Sequence, residues 1–224
     1  MLSGNITFAK IKNLMELSDL RRDFGKYKLI EMKLPDSPIL MFRLWLEEVK
    51  VAGLDEFNAM VVSTVGRLGK PSSRIVLLKE ITAQGGLVFY TNYLSRKGRD
   101  LEDNPFVSFH FFWTALERQV IIEGKLRKTS AKKSEDYFNS RPIESRLSAI
   151  ISPQSETILS LKVLENRRNK LLQNPAQIKR PKNWGGYELT PELFEFWQGG
   201  KHRLHDRLRY RLMESKWKID RLAP

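Results

Sequence analysis

The sequence contains no cysteine, so disulfide bonds, thiolate metal sites and cysteine nucleophiles are all excluded. No apolar run approaches the roughly 18 residues that a membrane-spanning helix needs. The N-terminus also lacks a basic start followed by an unbroken apolar stretch, which argues against a secretion signal. The motifs GxSxG, GxxxxGK(S/T), HExxH and GxGxxG are missing as well. These absences favour a cytoplasmic protein and leave its chemistry open.

Basic residues are abundant: 39 lysines and arginines against 26 acidic residues give a formal net charge of +13. Such a charge fits a nucleic acid, an acidic membrane surface or small phosphorylated ligands. The basic residues are spread along the chain, and no block of five like charges marks a binding tail. Charge alone therefore does not choose among these partners.

The length of 224 residues predicts one large domain, and the change in periodicity near residue 36 predicts an arm before it. Residues 1–36 are of mixed charge and weak periodicity, and we expect a partly ordered arm or lid there. Residues 37–224 form the domain, beginning with an amphipathic helix that has Ser37 as its N-cap and Pro38 at its first position.

Short β-branched and aromatic runs follow the first helix and predict an antiparallel meander. The predicted strands cover 59–66, 72–82, 87–92, 106–114 and 116–129, with a short helix at 95–105. Helical periodicity dominates 131–174, and strands return in WGGYELT, FEFWQGG, HRLHDRLRYRLME and KWKIDRLA. The fold class is therefore mainly β with peripheral α-helices, and a closed barrel would remove exposed sheet edges.

Two groups of basic residues could bind phosphate or could be solvated. Arg74 and Lys79 flank the apolar run IVLL, which fits a strand buried on both faces. Residues five apart point to opposite faces, so both could reach one ligand only if one side chain reached around the strand or the strand were distorted. Arg96 and Lys97 follow Ser95 at a predicted helix start, where backbone N–H groups favour an anion.

Two further clusters carry chemistry-bearing side chains. Tyr137, Arg141 and Ser145 are spaced as one helical face, but Pro142 favours two short helices that meet there. The segment WQGGKHRLHDR (197–207) is the densest cluster, and on an alternating strand Arg203, His205 and Arg207 would share one face suited to a planar anionic ring. His202 and His205 would then lie on opposite faces, so we expect no metal site.

Together these segments resemble the FMN-dependent pyridoxine/pyridoxamine 5'-phosphate oxidase family. The matching segments, in order from about Pro35 to Pro224, are RIVLLK (74–79), FYTN (89–92), SRK (95–97), ERQV (117–120), YFNSRP (137–142), SPQS (152–155), FWQGGKHRLHDR (196–207) and WKIDRLAP (217–224). The resemblance implies a split β-barrel, a homodimer and an FMN site built from both chains at the interface.

The resemblance also assigns roles to residues. It implies FMN contacts at Arg74, Ile75, Val76, Leu77, Leu78, Lys79, Tyr90, Thr91, Arg96, Lys97, Gln119, Gln154, Ser155, Trp197 and Arg207. It implies that Lys79, Tyr137, Arg141 and Ser145 hold the substrate phosphate, and that Arg203 and His205 position the pyridine ring as catalytic residues.

The reaction implied is hydride transfer from C4' of pyridoxamine or pyridoxine 5'-phosphate to FMN, with O₂ reoxidising the flavin and releasing H₂O₂. One segment departs from the family pattern: many members have Arg-Arg-Glu-Tyr in the arm, where this chain has Arg21-Arg22-Asp23-Phe24. We expect Arg21 and Phe24 still to cover the substrate, without the tyrosine hydroxyl.

Two other hypotheses remain open at this level. One is a relative that binds FMN or a B6 phosphate but lacks this oxidase activity, because one fold hosts many functions. The other is a nucleic-acid-binding module, which would use aromatic side chains beside basic ones. The resemblance favours small phosphorylated ligands, so we expect neither a membrane nor a specific nucleic acid as partner.

Overall fold

The first helix of the domain begins where the sequence predicts it. We describe a computed structural model, in which residues 34–224 are described together with Phe24, Gly25 and Leu29. Helix α1 spans Pro38–Val51 with the proline in its first turn, although Ser37 makes no side-chain capping bond. Its apolar face enters the core, with Phe42 and Val49 fully buried. The predicted arm of residues 1–36 lies mostly outside the described residues.

Nine antiparallel strands form one sheet, which confirms the mainly β class. They are β1 (Ala59–Val65), β2 (Pro71–Leu77), β3 (Glu80–Ile81), β4 (Leu87–Asn92), β5 (Phe106–Trp113), β6 (Arg118–Lys128), β7 (Trp184–Gln198), β8 (Asp206–Met213) and β9 (Lys216–Leu222). The order of pairing is β2-β1-β5-β6-β7-β4-β3, and β8 joins β7 to β9. The sheet curls into a split β-barrel.

The predicted meander is wrong after β4. The pairs β1–β2, β3–β4 and β5–β6 are antiparallel as a meander requires, but β4 pairs with the distant strand β7, and β5 pairs with β1. Alternation of apolar residues identifies a strand but not its partner, because partners are chosen by packing across the whole sheet.

β7 is one continuous strand of 15 residues, although the sequence predicts two runs separated at Pro191. Pro191 pairs opposite Gly124, and the β6–β7 register shifts between Glu123 and Gly124. A proline has no N–H to donate, and it is tolerated where a bulge interrupts the hydrogen-bond ladder. A Cβ on Gly124 would lie 2.1 Å from the Thr190 carbonyl oxygen, which shows how closely the two strands approach there.

The core lies on one face of the sheet, under α1. Phe42 packs on Phe111 and Phe194, with ring centroids 5.1 and 6.3 Å away. The opposite face is more open, and the prediction that IVLL is buried on both faces is wrong: Ile75 is 71% exposed, Leu78 is buried in the core, and Val76 is partly buried against it. β2 is an edge strand that pairs only with β1 among the described residues.

The helices lie outside the sheet. They are α2 (Arg96–Asp103), α3 (Ala131–Ser140), α4 (Ile143–Ile151) and α5 (Leu161–Leu172). The predicted break at Arg141 and Pro142 is confirmed, because α3 ends and α4 begins there. Helical periodicity from Glu156 onward overestimates α5, which begins five residues later. None of the described helices is long and apolar enough to cross a membrane.

Candidate active site

A cavity of about 390 Å³ opens where β2 and β4 meet α3 and α4. Ten of the predicted site residues line it: Ile75, Val76, Leu77, Lys79, Tyr90, Thr91, Lys97, Tyr137, Arg141 and Gln154. Leu78 points into the core instead, so only its backbone could meet a ligand. Five lining residues were not predicted: Asn92, Ser148, Ala149, Ser152 and Trp184.

Lys97 places a buried ammonium group in this cavity. Ser95 caps α2 as predicted by accepting the Gly98 N–H, and Lys97 is only 7% exposed. Its Nζ donates to Thr91 Oγ1 at 3.1 Å, to Ser95 Oγ at 3.3 Å and to Gln154 Oε1 at 3.0 Å. All of these acceptors are neutral. Burial, and then the nearby Arg74, lower the pKa of Lys97 to about 8. An anion beside it would relieve both effects.

Arg74 lies next to Lys97 but is held by its own sheet. Its guanidinium donates to the Val62 carbonyl at 3.0 Å and to Thr64 Oγ1 at 2.8 Å, and it lies 3.8 Å from Asp100. Burial lowers its pKa, Asp100 raises it, and Arg96 lowers it again. Arg74, Arg96 and Lys97 thus concentrate positive charge around the start of α2.

A strand distortion, one of the two alternatives that the sequence left open for Arg74 and Lys79, is present between β2 and β3. β2 ends at Leu77, after which the Leu78 N–H donates to the Asn58 carbonyl and the Lys79 N–H donates to the Val88 carbonyl at 2.8 Å. The chain therefore leaves the β1 ladder before Lys79. After this change of partner Lys79 lines the same cavity as Ile75, Val76 and Leu77, whereas Arg74 is not in the lining.

Stacked aromatic rings form one wall of the cavity. Tyr90 stacks on Tyr137 with centroids 3.8 Å apart and on Trp184 with centroids 5.7 Å apart. The Arg141 guanidinium lies over the Trp184 ring, 4.7 Å from its centroid. Such a cation–π contact orients the guanidinium plane. Burial raises the pKa of Tyr90 to about 12, so its hydroxyl remains a proton donor at neutral pH.

Arg141 is aimed into this cavity and is incompletely paired. Its Nη1 is buried and has no hydrogen-bond partner among the described residues. Burial lowers the Arg141 pKa, and Tyr137 opposes that change. Ser145 lies on α4 one turn before the lining residues Ser148 and Ala149, and is not itself in the lining.

Trp184 is the functional candidate that sequence reasoning missed. The signal lies in the two glycines that follow it. A Cβ on Gly185 would lie 2.1 Å from the Tyr93 hydroxyl, and a Cβ on Gly186 would lie 2.9 Å from a ring carbon of Tyr90. A tryptophan followed by a double glycine therefore marks a place where aromatic rings approach the backbone closely.

A second group of predicted residues lies around the other end of β7. Gln119, Trp197 and Arg207 are cross-strand neighbours on β6, β7 and β8. The Phe24 ring contacts Trp197 and His205 edge-on, at centroid distances of 5.6 and 5.8 Å.

Two polar contacts orient this second group. Arg207 Nε donates to Glu195 at 2.9 Å, and the Gly200 N–H donates to His205 Nδ1 at 3.1 Å. The His205 contact leaves Nε2 as the ring nitrogen that carries a proton on the neutral imidazole.

The prediction that Arg203, His205 and Arg207 share one strand face is wrong. Residues Lys201–Arg203 form a short 3₁₀ turn, and β8 begins only at Asp206. His202 and Arg203 have φ of 54° and 62°, in the left-handed region. The strand pattern fails here because Gly199 and Gly200 end β7, and the chain turns before it can pair again.

The two groups do not meet within one chain. Tyr90 pairs with Gly186 near the start of β7, whereas Trp197 is near its end. At about 3.3 Å per residue these two positions are roughly 35 Å apart along the strand. Arg96 and Ser155 are exposed beside the first group, and Arg203 is exposed beside the second. Arg21 lies outside the described residues.

The fold and the cation-lined cavity define a split-barrel protein whose predicted site residues lie in two separate groups. A family model described as pyridoxamine 5'-phosphate oxidase matches residues 46–173. A second, described as the pyridoxine 5'-phosphate oxidase C-terminal dimerisation region, matches residues 184–224. The chain belongs to the pyridoxamine 5'-phosphate oxidase family.

Similar proteins span nearly the whole chain. A pyridoxine/pyridoxamine 5'-phosphate oxidase of Flavobacterium psychrophilum is 48% identical over 215 residues, covering 94% of this chain and all of its own. One of Actinobacillus succinogenes is 49% identical over 211 residues, with the same coverage.

Two solved structures have the same fold. PhzG of Burkholderia lata, solved with tetrahydrophenazine-1-carboxylic acid, has a TM-score of 0.84 and 28% identity, covering 89% of this chain and 99% of its own. An FMN-binding, pyridoxamine 5'-phosphate oxidase-related protein of Nostoc punctiforme has a TM-score of 0.69 at 16% identity, covering 86% of this chain and all of its own, and it supports the fold alone.

Proposed function

We propose that the chain oxidises pyridoxamine 5'-phosphate and pyridoxine 5'-phosphate to pyridoxal 5'-phosphate, with FMN as its cofactor. The observation that carries this proposal is a single cavity lined both by the buried Lys97 and by Arg141 with Tyr137. Two sets of phosphate-binding groups in one cavity suit two phosphorylated molecules that must touch. The relatives of 48% and 49% identity bear the name of this activity.

The first set of cations fits the phosphate of FMN. Lys97 is buried against neutral oxygens and beside Arg74, so a phosphate dianion would supply the missing negative charge. Arg96 and the first N–H groups of α2 add positive potential at the same place. Bound FMN would accept a hydride from C4' of the substrate and pass its electrons to O₂, releasing H₂O₂. The chain's part is to hold the flavin in place.

The second set fits the substrate phosphate. Arg141 brings a buried Nη1 without a partner among the described residues, and its guanidinium is oriented by Trp184. Tyr137 lines the same cavity, as does Lys79, which follows the break after β2. We assign Ser145 to this set as well, from the neighbouring turn of α4. Planar, fixed donors of this kind bind phosphate with defined geometry.

A second copy of the chain would complete each site. Trp197 is roughly 35 Å along β7 from Gly186, which pairs with Tyr90 of the cavity, and Arg207 pairs with Trp197 on β8. Arg203 and His205 lie in the turn between these two strands. Trp197, Arg203, His205 and Arg207 all fall in the segment 184–224 that matches the dimerisation region. We propose that these residues, with Gln119, face the cavity of the partner copy. Arg203 and His205 would then position the pyridine ring, with His205 Nε2 as a proton donor in the neutral ring.

The arm contributes the cover over the ring. Phe24 packs edge-on against Trp197 and His205, so it closes one side of the proposed ring site with apolar surface. This arrangement replaces a tyrosine hydroxyl with packing, as the sequence suggests. We expect deletion of residues 1–28 to lower kcat/KM, and an unchanged kcat/KM would remove the arm from the mechanism.

The test is a spectrum of the purified protein, followed by anaerobic addition of pyridoxamine 5'-phosphate. We expect the oxidised-flavin band at about 450 nm to bleach with formation of pyridoxal 5'-phosphate, and to return in air. A flavin that binds but never bleaches would indicate a relative without this activity. Failure to bind added FMN would contradict the cofactor assignment.

A further inference from the structure

Glu117 is a buried carboxylate that contacts the arm and has no assigned role. It lies in the turn between β5 and β6 and is 1% exposed. We propose that Glu117 is a positioning residue, which fixes the arm at Gly25 so that Phe24 covers His205 and Trp197. This inference rests on the proposed function, because it deepens the role of the arm at the ring site.

The backbone of Glu117 is held firmly by the end of β7. The Gly199 N–H donates to the Glu117 carbonyl at 2.8 Å, and Gln198 Nε2 donates to the same carbonyl at 3.1 Å. Glu117 itself has a φ of 55°, a left-handed conformation that non-glycine residues adopt rarely. The carboxylate is therefore presented from a rigid turn and not from a mobile loop.

The arm meets this carboxylate through a backbone donor. The Gly25 N–H donates to Glu117 Oε2 at 2.7 Å, a short hydrogen bond to a charged acceptor. Gly25 has a φ of 142°, and a Cβ there would lie 2.6 Å from Lys201 Cγ. Glycine is thus required at this position both for its backbone conformation and for the space it leaves.

Phe24, which precedes Gly25 in the arm, also packs closely against Gly199 at the end of β7. A Cβ on Gly199 would lie 2.8 Å from Phe24 Cβ and 3.1 Å from Glu117 Cβ. Glu117, Gly199 and the rings of Trp197 and His205 therefore form a cradle for Phe24 and Gly25. The hydrogen bond from Gly25 to Glu117 is a directional polar contact between the arm and this cradle, and it fixes the position of Gly25.

Removal of the carboxylate should free the arm without disturbing the flavin-side cavity. Lys97 and Arg141 belong to the other group of site residues, so FMN content should not change. We expect Glu117→Ala to raise the KM for pyridoxamine 5'-phosphate about tenfold, the effect of losing one hydrogen bond to a charged group, with kcat changed much less. Glu117→Gln retains an oxygen acceptor and should restore most of the affinity.

A second readout does not depend on turnover. Lys26 and Lys28 are trypsin sites in the sequence next to Gly25. We expect trypsin to cut there several-fold faster in Glu117→Ala than in the parent chain, measured by mass spectrometry of the fragments. Glu188→Ala is the matched control, because Glu188 contacts Arg127 and Thr82 far from the arm. That variant should leave both KM and cleavage unchanged.

Combination with Gly25→Ala decides whether Glu117 acts through the arm. Each variant alone should raise the KM for pyridoxamine 5'-phosphate. The double variant should raise KM little further than either single variant, because both substitutions break the same contact between Gly25 and Glu117. Multiplied effects, or an unchanged KM and cleavage rate in Glu117→Ala, would overturn the inference. If Glu117→Ala does not fold, Gly25→Ala alone tests the contact: it should raise both KM and the rate of tryptic cleavage, and unchanged values would overturn the inference. A parent chain that makes no pyridoxal 5'-phosphate would instead refute the proposed function, and the cleavage rates would still test the anchor.

Discussion

Replacement of Lys97 by methionine should weaken FMN binding and stabilise the protein without ligand. Lys97 is 7% exposed, and its three hydrogen-bond acceptors are neutral. Methionine has a similar length and no charge to bury. The ligand-free protein therefore loses an unfavourable group, whereas the proposed complex loses a cation that contacts the phosphate.

The two effects have opposite signs and similar sizes. Burial and Arg74 lower the Lys97 pKa from its ordinary value to about 8, which corresponds to a cost of roughly 3 kcal/mol when the amine is charged. Replacement by methionine removes this cost, but it also removes the hydrogen bonds to Thr91, Ser95 and Gln154, which offsets part of the stabilisation. We expect Lys97→Met to be about 1–2 kcal/mol more stable at pH 7 without ligand. A hydrogen bond to a charged group contributes about 1.5–3 kcal/mol, so FMN affinity should fall roughly 10- to 150-fold.

The pH dependence of stability and of FMN binding tests whether the charge of Lys97 causes both effects. Because the folded pKa is about 8 and the unfolded value is near 10.5, the unfolded chain binds more protons between these limits. The penalty from Lys97 is therefore complete below about pH 8 and disappears as the pH approaches 10.5. The stability difference between parent and variant should shrink over that range. FMN binding to the parent should weaken above pH 8, and binding to the variant should lack this step.

Denaturant unfolding and fluorescence titration with FMN, each from pH 7 to 10, measure these quantities. Lys128→Met is the control, because Lys128 is exposed over the Tyr93 ring and outside the cavity. It should change neither the FMN affinity nor its pH profile. An unchanged FMN affinity in Lys97→Met would refute the assignment of this cavity to the flavin phosphate.

Three further predictions address the remaining parts of the site. Arg203→Ala should lower turnover at least about 100-fold at constant flavin content, and unchanged turnover would contradict its positioning role. Arg141→Lys should raise the KM for pyridoxamine 5'-phosphate about tenfold with little change in kcat, since lysine lacks the planar fork that stacks on Trp184. Arg141→Ala and Arg207→Ala should each be nearly inactive alone. Co-expressed in equal amounts they should recover about a quarter of parental activity, because mixed dimers contain one intact site; no recovery would argue against a site built from two chains.

Local structure follows from local residues, and the sequence predicts it well. Pro38 starts α1, Ser95 caps α2, and Pro142 separates α3 from α4, each as expected. Each of these signals acts through the backbone of its own few residues. The distortion after β2 was one of two alternatives that the sequence left open for Arg74 and Lys79; Lys79 lines the cavity, whereas Arg74 is not in its lining.

The pairing of strands that are distant in the sequence could not be predicted from these local patterns. β4 pairs with β7, and β7 runs through Pro191, because the bulge at Gly124 on another strand accommodates the proline. The Trp184 stack was missed for the same reason, since its partners Tyr90 and Tyr137 come from distant segments.

The amino-acid sequence by itself determined the mainly β class, the helix boundaries set by prolines and caps, and the residue types of the site. Only the tertiary structure decided that Arg203, His205 and Arg207 do not share a strand face, and that Ile75 is exposed. It alone separated the two groups of site residues along β7 and brought Glu117 to Gly25. The physical reason is that side-chain periodicity records which face is apolar, whereas strand partners and close backbone approaches depend on residues far apart in the chain.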